Sequence, residues 1–376
     1  MSRSQSARSV AQPASAADAV AEARNVRREV MAEVFGAGEM RQGESRAEPV
    51  PAICNRSLMR EIFTGGDCKS TARAISEIAT LAGRALKSRH DMNPYLHFVS
   101  EYARFAKEGK AWPLGGFPRC PRPEVPADAP VALIFSPHPD DEVIIGGLAL
   151  RLLREAKWNV INVAVTQGSN KVRQAGRWEE LQACCDCIGF GLVQTVPGGL
   201  EKVNVATQEK DPAHWAASVK VIADILAKHR PKVILFPHDS DWNSSHIGTH
   251  HLVMDALHSL PADFCTTAVE TEFWGAMASP NLMVEISTHD LADLITALTF
   301  HVGEVQRNPY HLTCPAWMMD NVRRGGELVG GQGGAVPDFT FATLYRLRRW
   351  NGRELGKAFE GGKNLPCEAN PAGLFA

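Results

Sequence analysis

Val131-Ala132-Leu133-Ile134-Phe135 is an apolar run, and Ser136-Pro137-His138-Pro139-Asp140-Asp141-Glu142 follows it without a break. The apolar run predicts a buried strand, and the residues after Glu142 lead into a helical pattern. A histidine and three acids directly after such a strand are poor material for a core. Because ligands of open α/β sheets bind at the carboxyl ends of the strands, this position indicates chemistry rather than packing.

Strand-like and helix-like segments alternate from residue 131 onward. Repeated units of this length predict an α/β fold, a Rossmann-like parallel sheet with helices on both faces. The predicted strands cover 131–135, 159–165, 192–196, 233–236, 269–277 and 282–287, and the predicted helices cover 146–156, 176–188, 214–228, 249–259 and 290–302.

The chain divides by composition into four predicted parts. We expect Arg346, Arg348 and Arg349, in the last part, to lie on a solvated surface or at an oligomer contact. The parts are a tail, disordered or partly helical, over 1–50; an N-terminal helical extension with a Pro/Gly-rich linker over 51–130; a catalytic domain over 131–325; and a C-terminal tail, Gly-rich and then basic, over 326–376.

Composition also narrows the class of function. The formal net charge of −2 lacks the basic footprint of a nucleic-acid-binding protein. The sequence has no apolar run of about 18 residues that would span a membrane, and its N-terminus lacks the apolar segment of a secretory signal. The nine cysteines are scattered, so we expect reduced, buried thiols, Cys184, Cys185 and Cys187 among them. We therefore expect a cytoplasmic protein that neither binds nucleic acid nor spans a membrane, and the sequence leaves open whether it forms a homo-oligomer.

The polar run after the first strand suits a hydrolytic zinc site. Such a site needs about three protein ligands and an open position for water. His138 and Asp141 can both face one ion from this turn, whereas Asp140, whose side chain points elsewhere, could reach a metal-bound water as a general base. A third ligand should follow another strand, and His246 lies just before a predicted helix in a histidine-rich loop. His250 and His251 compete with it for this role.

These motifs resemble the PIG-L/LmbE-like deacetylase family. The resemblance rests on His138-Pro139-Asp140-Asp141-Glu142 and on a histidine about a hundred residues later, and it covers roughly residues 130 to 310. Members are mostly zinc-dependent N-deacetylases of N-acetylglucosamine-containing or related amides. The resemblance implies that His138, Asp141 and His246 bind Zn²⁺ and that Asp140 is the general base.

Weaker matches extend the resemblance. The segment 163–168 is similar to the family's second strand and turn, and Arg177 matches an arginine that lines the substrate pocket in the family. His301 with Gln306 resembles a late His/Gln element. Glu142 could support a ligand imidazole, or it could be an acid favoured in the first turn of a helix.

Asn243 departs from the family pattern. Many members have a second histidine three residues before the third ligand, where it acts as an acid or stabilises an oxyanion. Asparagine can donate a hydrogen bond to an oxyanion but cannot supply a proton at neutral pH. Either His250, His301 or Asp241 takes over as the acid, or Asp140 returns the proton itself.

The sequence therefore predicts a zinc-dependent hydrolase that removes an acetyl group from an N-acetyl amino sugar or its conjugate. Two alternatives stay open. The domain could be a catalytically impaired sugar- or nucleotide-binding module, which Asn243 would favour, or an amidase for a different conjugate.

Overall fold

One mixed β-sheet organises the described part of the protein. The computed structural model describes residues 93–376, and the predicted tail and most of the helical extension lie outside these residues. The strands of the described part are β1 (Val131–Ser136), β2 (Asn159–Ala164), β3 (Gly191–Gln194), β4 (Val233–Pro237), β5 (Thr266–Thr271), β6 (Leu282–Glu285), β7 (Ala342–Trp350), β8 (Leu355–Lys357) and β9 (Lys363–Leu365).

These strands form one mixed sheet in the order β3-β2-β1-β4-β5-β7-β6-β9, with β8 paired to β7. The strands from β3 to β5 are all parallel. β7 runs antiparallel to both β5 and β6, and β9 runs parallel to β6. The prediction of an α/β fold with a mainly parallel, Rossmann-like sheet is confirmed, and the antiparallel strand is the departure from it.

Helices connect the strands and cover the sheet. Residues 98–376 form one compact unit, and residues 94–97 begin the first helix before it. The helices are α1 (Pro94–Glu108), α2 (Asp141–Ile144), α3 (Gly147–Arg154), α4 (Lys171–Ile188), α5 (Val205–Lys210), α6 (Pro212–His229), α7 (Ser244–Ser259), α8 (Thr288–Leu298), α9 (Val302–Val305) and α10 (Tyr310–Leu328), with short 3₁₀ turns at Gly109–Ala111 and Pro371–Phe375.

The core lies on both faces of the sheet because successive residues of a strand point to opposite sides. On β1, Leu133 and Phe135 pack into the cluster that α6 and α7 cover. Ile134 packs into the other cluster, with residues of α3, α4, α8 and α10. This double burial explains why β1 is a continuous apolar run rather than an alternating one.

Helix caps account for two boundaries that periodicity placed too late. Asn170 accepts a hydrogen bond from the backbone N–H of Val172, so α4 begins at residue 171 instead of 176. Asn243 caps α7 in the same way, through the N–H of Ser245. As a result His246 lies in the first turn of α7, not before it.

The predicted C-terminal tail, 326–376, contributes β7, β8 and β9 to the central sheet, so the sheet extends past residue 325. Arg346 and Arg348, expected on a solvated surface, both pair with the fully buried carboxylate of Glu270. The reason is register, since Arg346 lies opposite Glu270 in the β5–β7 pair. A buried carboxylate requires such partners.

The cysteine cluster of α4 belongs to the core. Cys184, Cys185 and Cys187 are buried on α4, as expected for packing. Within residues 93–376, no helix is both long and apolar enough to cross a membrane.

Candidate metal centre

The strand order reverses between β1 and β4, and this reversal creates a crevice at the carboxyl edge of the sheet. β2 and β3 continue the sheet on one side of β1, whereas β4 and β5 continue it on the other. Crevices at such switch points are where open α/β sheets bind ligands. A pocket at this place is lined by the ends of β1 and β4 and by Asp141, His246 and Phe273.

The turn after β1 presents the first two candidate ligands. Asp140 adopts a left-handed backbone conformation, with φ of 115° and ψ of −29°, and α2 begins at the next residue. The Oδ2 atom of Asp141 accepts a hydrogen bond from the backbone N–H of His138 at 2.9 Å. This bond closes the turn and brings both side chains to the crevice.

The third candidate ligand comes from the far side of the crevice. His246 lies in the first turn of α7, which follows β4, and its side chain is buried. Its Nδ1 atom lies 3.6 Å from Oδ2 of Asp241. A carboxylate in this place orients an imidazole so that its other nitrogen can bind a metal.

His138, Asp141 and His246 converge on one point. Oδ2 of Asp141 lies 3.4 Å from Nε2 of His246 and 3.5 Å from Nδ1 of His138. Two ligands that are each about 2.1 Å from a tetrahedral zinc ion lie about 3.4 Å apart. The spacing of the three side chains therefore fits a single ion.

Unmet hydrogen-bonding capacity supports the same fit. Nε2 of His246 and Oδ2 of Asp241 are both buried, and neither has a hydrogen-bond partner in the described part of the chain. Buried polar atoms without partners are rare in folded proteins and call for an explanation. A cation bound to Nε2 of His246 would supply it there.

Charge within the cluster also favours a cation. Burial raises the pKa of Asp141, but the charge of His246 and hydrogen bonds with His138 and His246 lower it overall, so the carboxylate stays ionised. Burial lowers the pKa of His246, but the charge of Asp141 outweighs this effect and raises it overall. The negative carboxylate thus attracts a positive charge, either a proton on His246 or a metal ion.

Asp140 lies beside this cluster as a buried acid. Its burial, and next the charge of Asp141, raise its pKa well above the ordinary value, and the positive charge of Arg177 opposes them. A buried carboxyl with a shifted pKa, next to a candidate metal centre, is suited to proton transfer.

Arg177, on α4, reaches the same turn. Its Nη2 atom donates a hydrogen bond to the carbonyl of Pro139 at 2.9 Å. Gly168 makes room for it, because a Cβ atom at that position would collide with the Arg177 guanidinium. Arg177 therefore braces the turn that carries Asp140, and its predicted contact with substrate stays a prediction.

The segment that carries the candidate ligands is similar to a known protein family. Residues 133–257 match the family model described as GlcNAc-PI de-N-acetylase, or PIG-L. The chain contains a PIG-L domain. The match includes His138, Asp140, Asp141 and His246, and together with the metal cluster it supports a deacetylase.

Solved structures resemble the protein at low sequence identity. N,N'-diacetylchitobiose deacetylase from Pyrococcus horikoshii is 16% identical, with a TM-score of 0.44, and the match covers 68% of this chain and 93% of that one. The 4-carboxy-2-hydroxymuconate hydratase from Pseudomonas putida KT2440 is 15% identical, with a TM-score of 0.45, and the match covers 58% and 95%. None of the curated proteins compared with the chain matches it.

Asn243 serves the PIG-L domain as a helix cap. Its Oδ1 atom accepts a hydrogen bond from the Ser245 backbone N–H at 2.9 Å, which occupies the oxygen of the carboxamide. The Nδ2 group is the part of the side chain that could donate to an oxyanion. Asn243 lies three residues before His246, and its catalytic role stays a prediction.

The structure separates the candidates for the missing acid. Nδ1 of His250 lies 3.0 Å from the carbonyl of Pro237, and burial lowers the pKa of this histidine. His301 forms a 2.7 Å contact with Glu142 instead of facing the metal cluster. Asp241, in contrast, lies beside His246. Of the three side chains, Asp241 is the one that contacts a candidate ligand.

One interpretation of the sequence was that Glu142 supports the imidazole of a metal ligand. In the structure, Glu142 does not form a hydrogen bond with His138 or His246. From the first turn of α2 it points into the core, where Oε1 contacts Nε2 of His301 and accepts from Sγ of Cys184 at 3.2 Å. Its Oε2 atom accepts from the backbone N–H of Asp140 at 3.0 Å. Glu142, Cys184 and His301 thus form a second cluster beneath the turn.

Aromatic side chains beside the crevice were missed by sequence reasoning. The Trp274 ring lies in edge contact with the rings of Trp242, Phe273 and Tyr310, at centroid distances of 5.9, 4.8 and 5.1 Å. Burial, then the charges of Asp140 and Glu304, raise the pKa of Tyr310 to about 12. The only sequence signal was the Phe273-Trp274 pair after a strand.

Proposed function

We propose that the protein is a zinc-dependent N-deacetylase that acts on an N-acetyl amino sugar or its conjugate. The convergence of His138, Asp141 and His246 beside the buried acid Asp140, within a PIG-L domain, is the observation that carries this proposal. His138, Asp141 and His246 would bind the ion.

When bound, zinc supplies Lewis acidity, which lowers the pKa of water and polarises an acyl oxygen. Asp140 takes a proton from the attacking water, and its raised pKa lets it keep that proton in the buried site. The same carboxyl then returns the proton to the leaving amine, so that acetate and a free amine are released. This cycle needs no separate acid, which accommodates an asparagine at residue 243.

Asn243 and Arg177 have supporting parts in the proposal. The Nδ2 group of Asn243 donates to the developing oxyanion. Arg177 fixes the carbonyl of Pro139 and keeps a positive charge next to Asp140, which prevents the pKa of this acid from rising further.

The shape of the crevice supports an acetylated sugar as substrate. Its pocket is partly lined by the apolar side chains of Ile145 and Phe273, which suit the methyl group of an acetyl. Trp242 is 70% exposed, and its indole N–H is tied to the carbonyl of Trp274 at 2.9 Å. An exposed aromatic ring in a fixed orientation offers a flat surface for a sugar ring.

Acetate release tests the proposal. Full-length protein loaded with zinc is incubated with a panel of N-acetylated sugars, their conjugates and simple N-acetyl amines, with an Asp140→Asn variant as control. We expect release from at least one acetylated sugar by the wild type, at a rate that the variant reduces strongly. Release only from amides without a sugar would change the substrate class, and no release from any of them would contradict the proposal.

The asparagine at residue 243 favours a second candidate function, in which the protein binds a sugar without hydrolysing it. Binding of N-acetylglucosamine to the zinc-loaded protein, measured by calorimetry with no acetate released over hours, would support this module instead of the enzyme.

A further inference from the structure

The backbone of Asp140 is held in an uncommon conformation by a side chain two residues later. With φ of 115°, Asp140 lies in a region that residues with a side chain rarely occupy. Its carbonyl accepts from the N–H groups of Val143 and Ile144, which start α2. Its own N–H points the other way and donates to Oε2 of Glu142 at 3.0 Å.

Glu142 is fixed in turn by two buried side chains. Nε2 of His301 lies 2.7 Å from its Oε1 atom, and the thiol of Cys184 donates to the same atom at 3.2 Å. At most 1% of the surface of any of these three residues is exposed. Because a buried polar group that loses its partner is strongly disfavoured, the carboxylate has little freedom to turn.

We infer that Glu142 is a positioning residue that keeps Asp140 in its left-handed conformation and so aims the Asp140 carboxyl at the metal centre. His301 acts through Glu142 by fixing the orientation of its carboxylate. The inference rests on the proposed function, in which Asp140 moves a proton, but neither Glu142 nor His301 touches the substrate.

Hydrogen bonding distinguishes this assignment from a second metal site. Glu142, Cys184 and His301 have the donor types of a metal site, and their ligand atoms lie within 4.8 Å of one another. In contrast to His246, however, the Nε2 atom of His301 has a hydrogen-bond partner, and so does the thiol. The protein should therefore bind one zinc ion per chain, not two.

A matched pair of substitutions isolates the hydrogen bond. Glutamine and methionine have similar size and no charge, but glutamine has an oxygen that accepts well from the Asp140 N–H, whereas the methionine sulfur is a weak acceptor. We expect Glu142→Gln to keep most of the activity. Glu142→Met should lower kcat about 10- to 100-fold, with KM and zinc content unchanged.

The same pair in an Asp140→Ala background separates positioning from folding. If Glu142 acts only through Asp140, the difference in kcat between glutamine and methionine disappears when the Asp140 carboxyl is absent. The inference would be overturned if the glutamine and methionine variants still differed in kcat when Asp140 is replaced by alanine. It would also be overturned if the two variants had equal kcat values when Asp140 is present. A second zinc equivalent lost in Glu142→Met would overturn it as well.

A second pair of variants and crystal structures test the inference without relying on the folding of Glu142→Met or on a known substrate. If Glu142→Met does not fold, His301→Gln and His301→Leu form the substitute pair, because glutamine can still donate to Glu142. Crystal structures of the Glu142 pair need no substrate: Asp140 should stay left-handed in Glu142→Gln and relax in Glu142→Met. An unchanged Asp140 in Glu142→Met contradicts the inference, whereas an inactive zinc-loaded wild type contradicts only the proposed function.

Discussion

Two clusters of possible metal-binding side chains share the turn after β1, and they differ in how their polar atoms are used. His138, Asp141 and His246 converge with an unpartnered imidazole nitrogen, and the His138 side chain is 20% exposed. Glu142, Cys184 and His301 are buried, and they bond to one another. Residue type alone therefore does not separate a metal site from its scaffold; unmet hydrogen-bonding capacity and access do.

Removal of one imidazole from each cluster tests this difference most strongly. We expect His246→Ala to lose zinc and activity, because a two-ligand site binds zinc weakly. His301→Ala should still contain one zinc ion per chain. Metal analysis after dialysis without chelator measures both, with His251→Ala on the same helix as control. Zinc lost from His301→Ala and kept by His246→Ala would reverse the two assignments.

Asp140→Asn should separate chemistry from metal binding. The variant keeps the side chain's size but cannot take a proton, so we expect kcat to fall about 10²- to 10⁴-fold while zinc content is unchanged. Steady-state acetate release checks this, with Asp239→Asn, an exposed acid of the loop after β4, as the matched control. Equal rates for wild type and Asp140→Asn would remove Asp140 from the mechanism.

Asp241→Asn should have a smaller effect on the same centre. The substitution puts an amide group near Nδ1 of His246 in place of a carboxylate oxygen, and loss of such a partner typically weakens metal binding about 10- to 100-fold. Competition with a zinc-selective chelator gives the affinity. An unchanged zinc Kd would show that the 3.6 Å approach of these two side chains has no role.

Cys184→Ala should have the smallest effect. The thiol donates one weak hydrogen bond to Glu142, so its loss should lower the free energy of unfolding by about 1 kcal/mol and leave zinc content unchanged. Urea denaturation and metal analysis of the same preparation measure the two quantities. Zinc loss in this variant would identify Cys184 as a ligand.

The sequence was a good guide to the edge of the sheet where the candidate ligands lie. A fully apolar strand followed by His138, Asp140 and Asp141 predicts both the buried β1 and the polar turn, because the two signals are local. The His246 loop could be found because it follows another apolar strand. Which of its histidines faces the crevice depended on the cap at Asn243, which shifts the start of α7 by several residues.

Contacts between distant segments could not be predicted from one sequence. Glu142 and His301 are 159 residues apart, and no periodic pattern links them. Arg346 looked solvated because its partner, Glu270, comes opposite only when β7 inserts between β5 and β6. Tyr310, the first residue of α10, likewise meets Trp274 only through tertiary packing.

Zinc dependence of the proposed deacetylase can be measured by titrating zinc into chelator-stripped, full-length protein, with acetate release from an N-acetylated sugar as the readout. We expect no release without zinc and a rise that reaches its plateau at one zinc ion per chain. Release that is independent of zinc, or no release at any zinc concentration across the sugar panel, would contradict the proposed function.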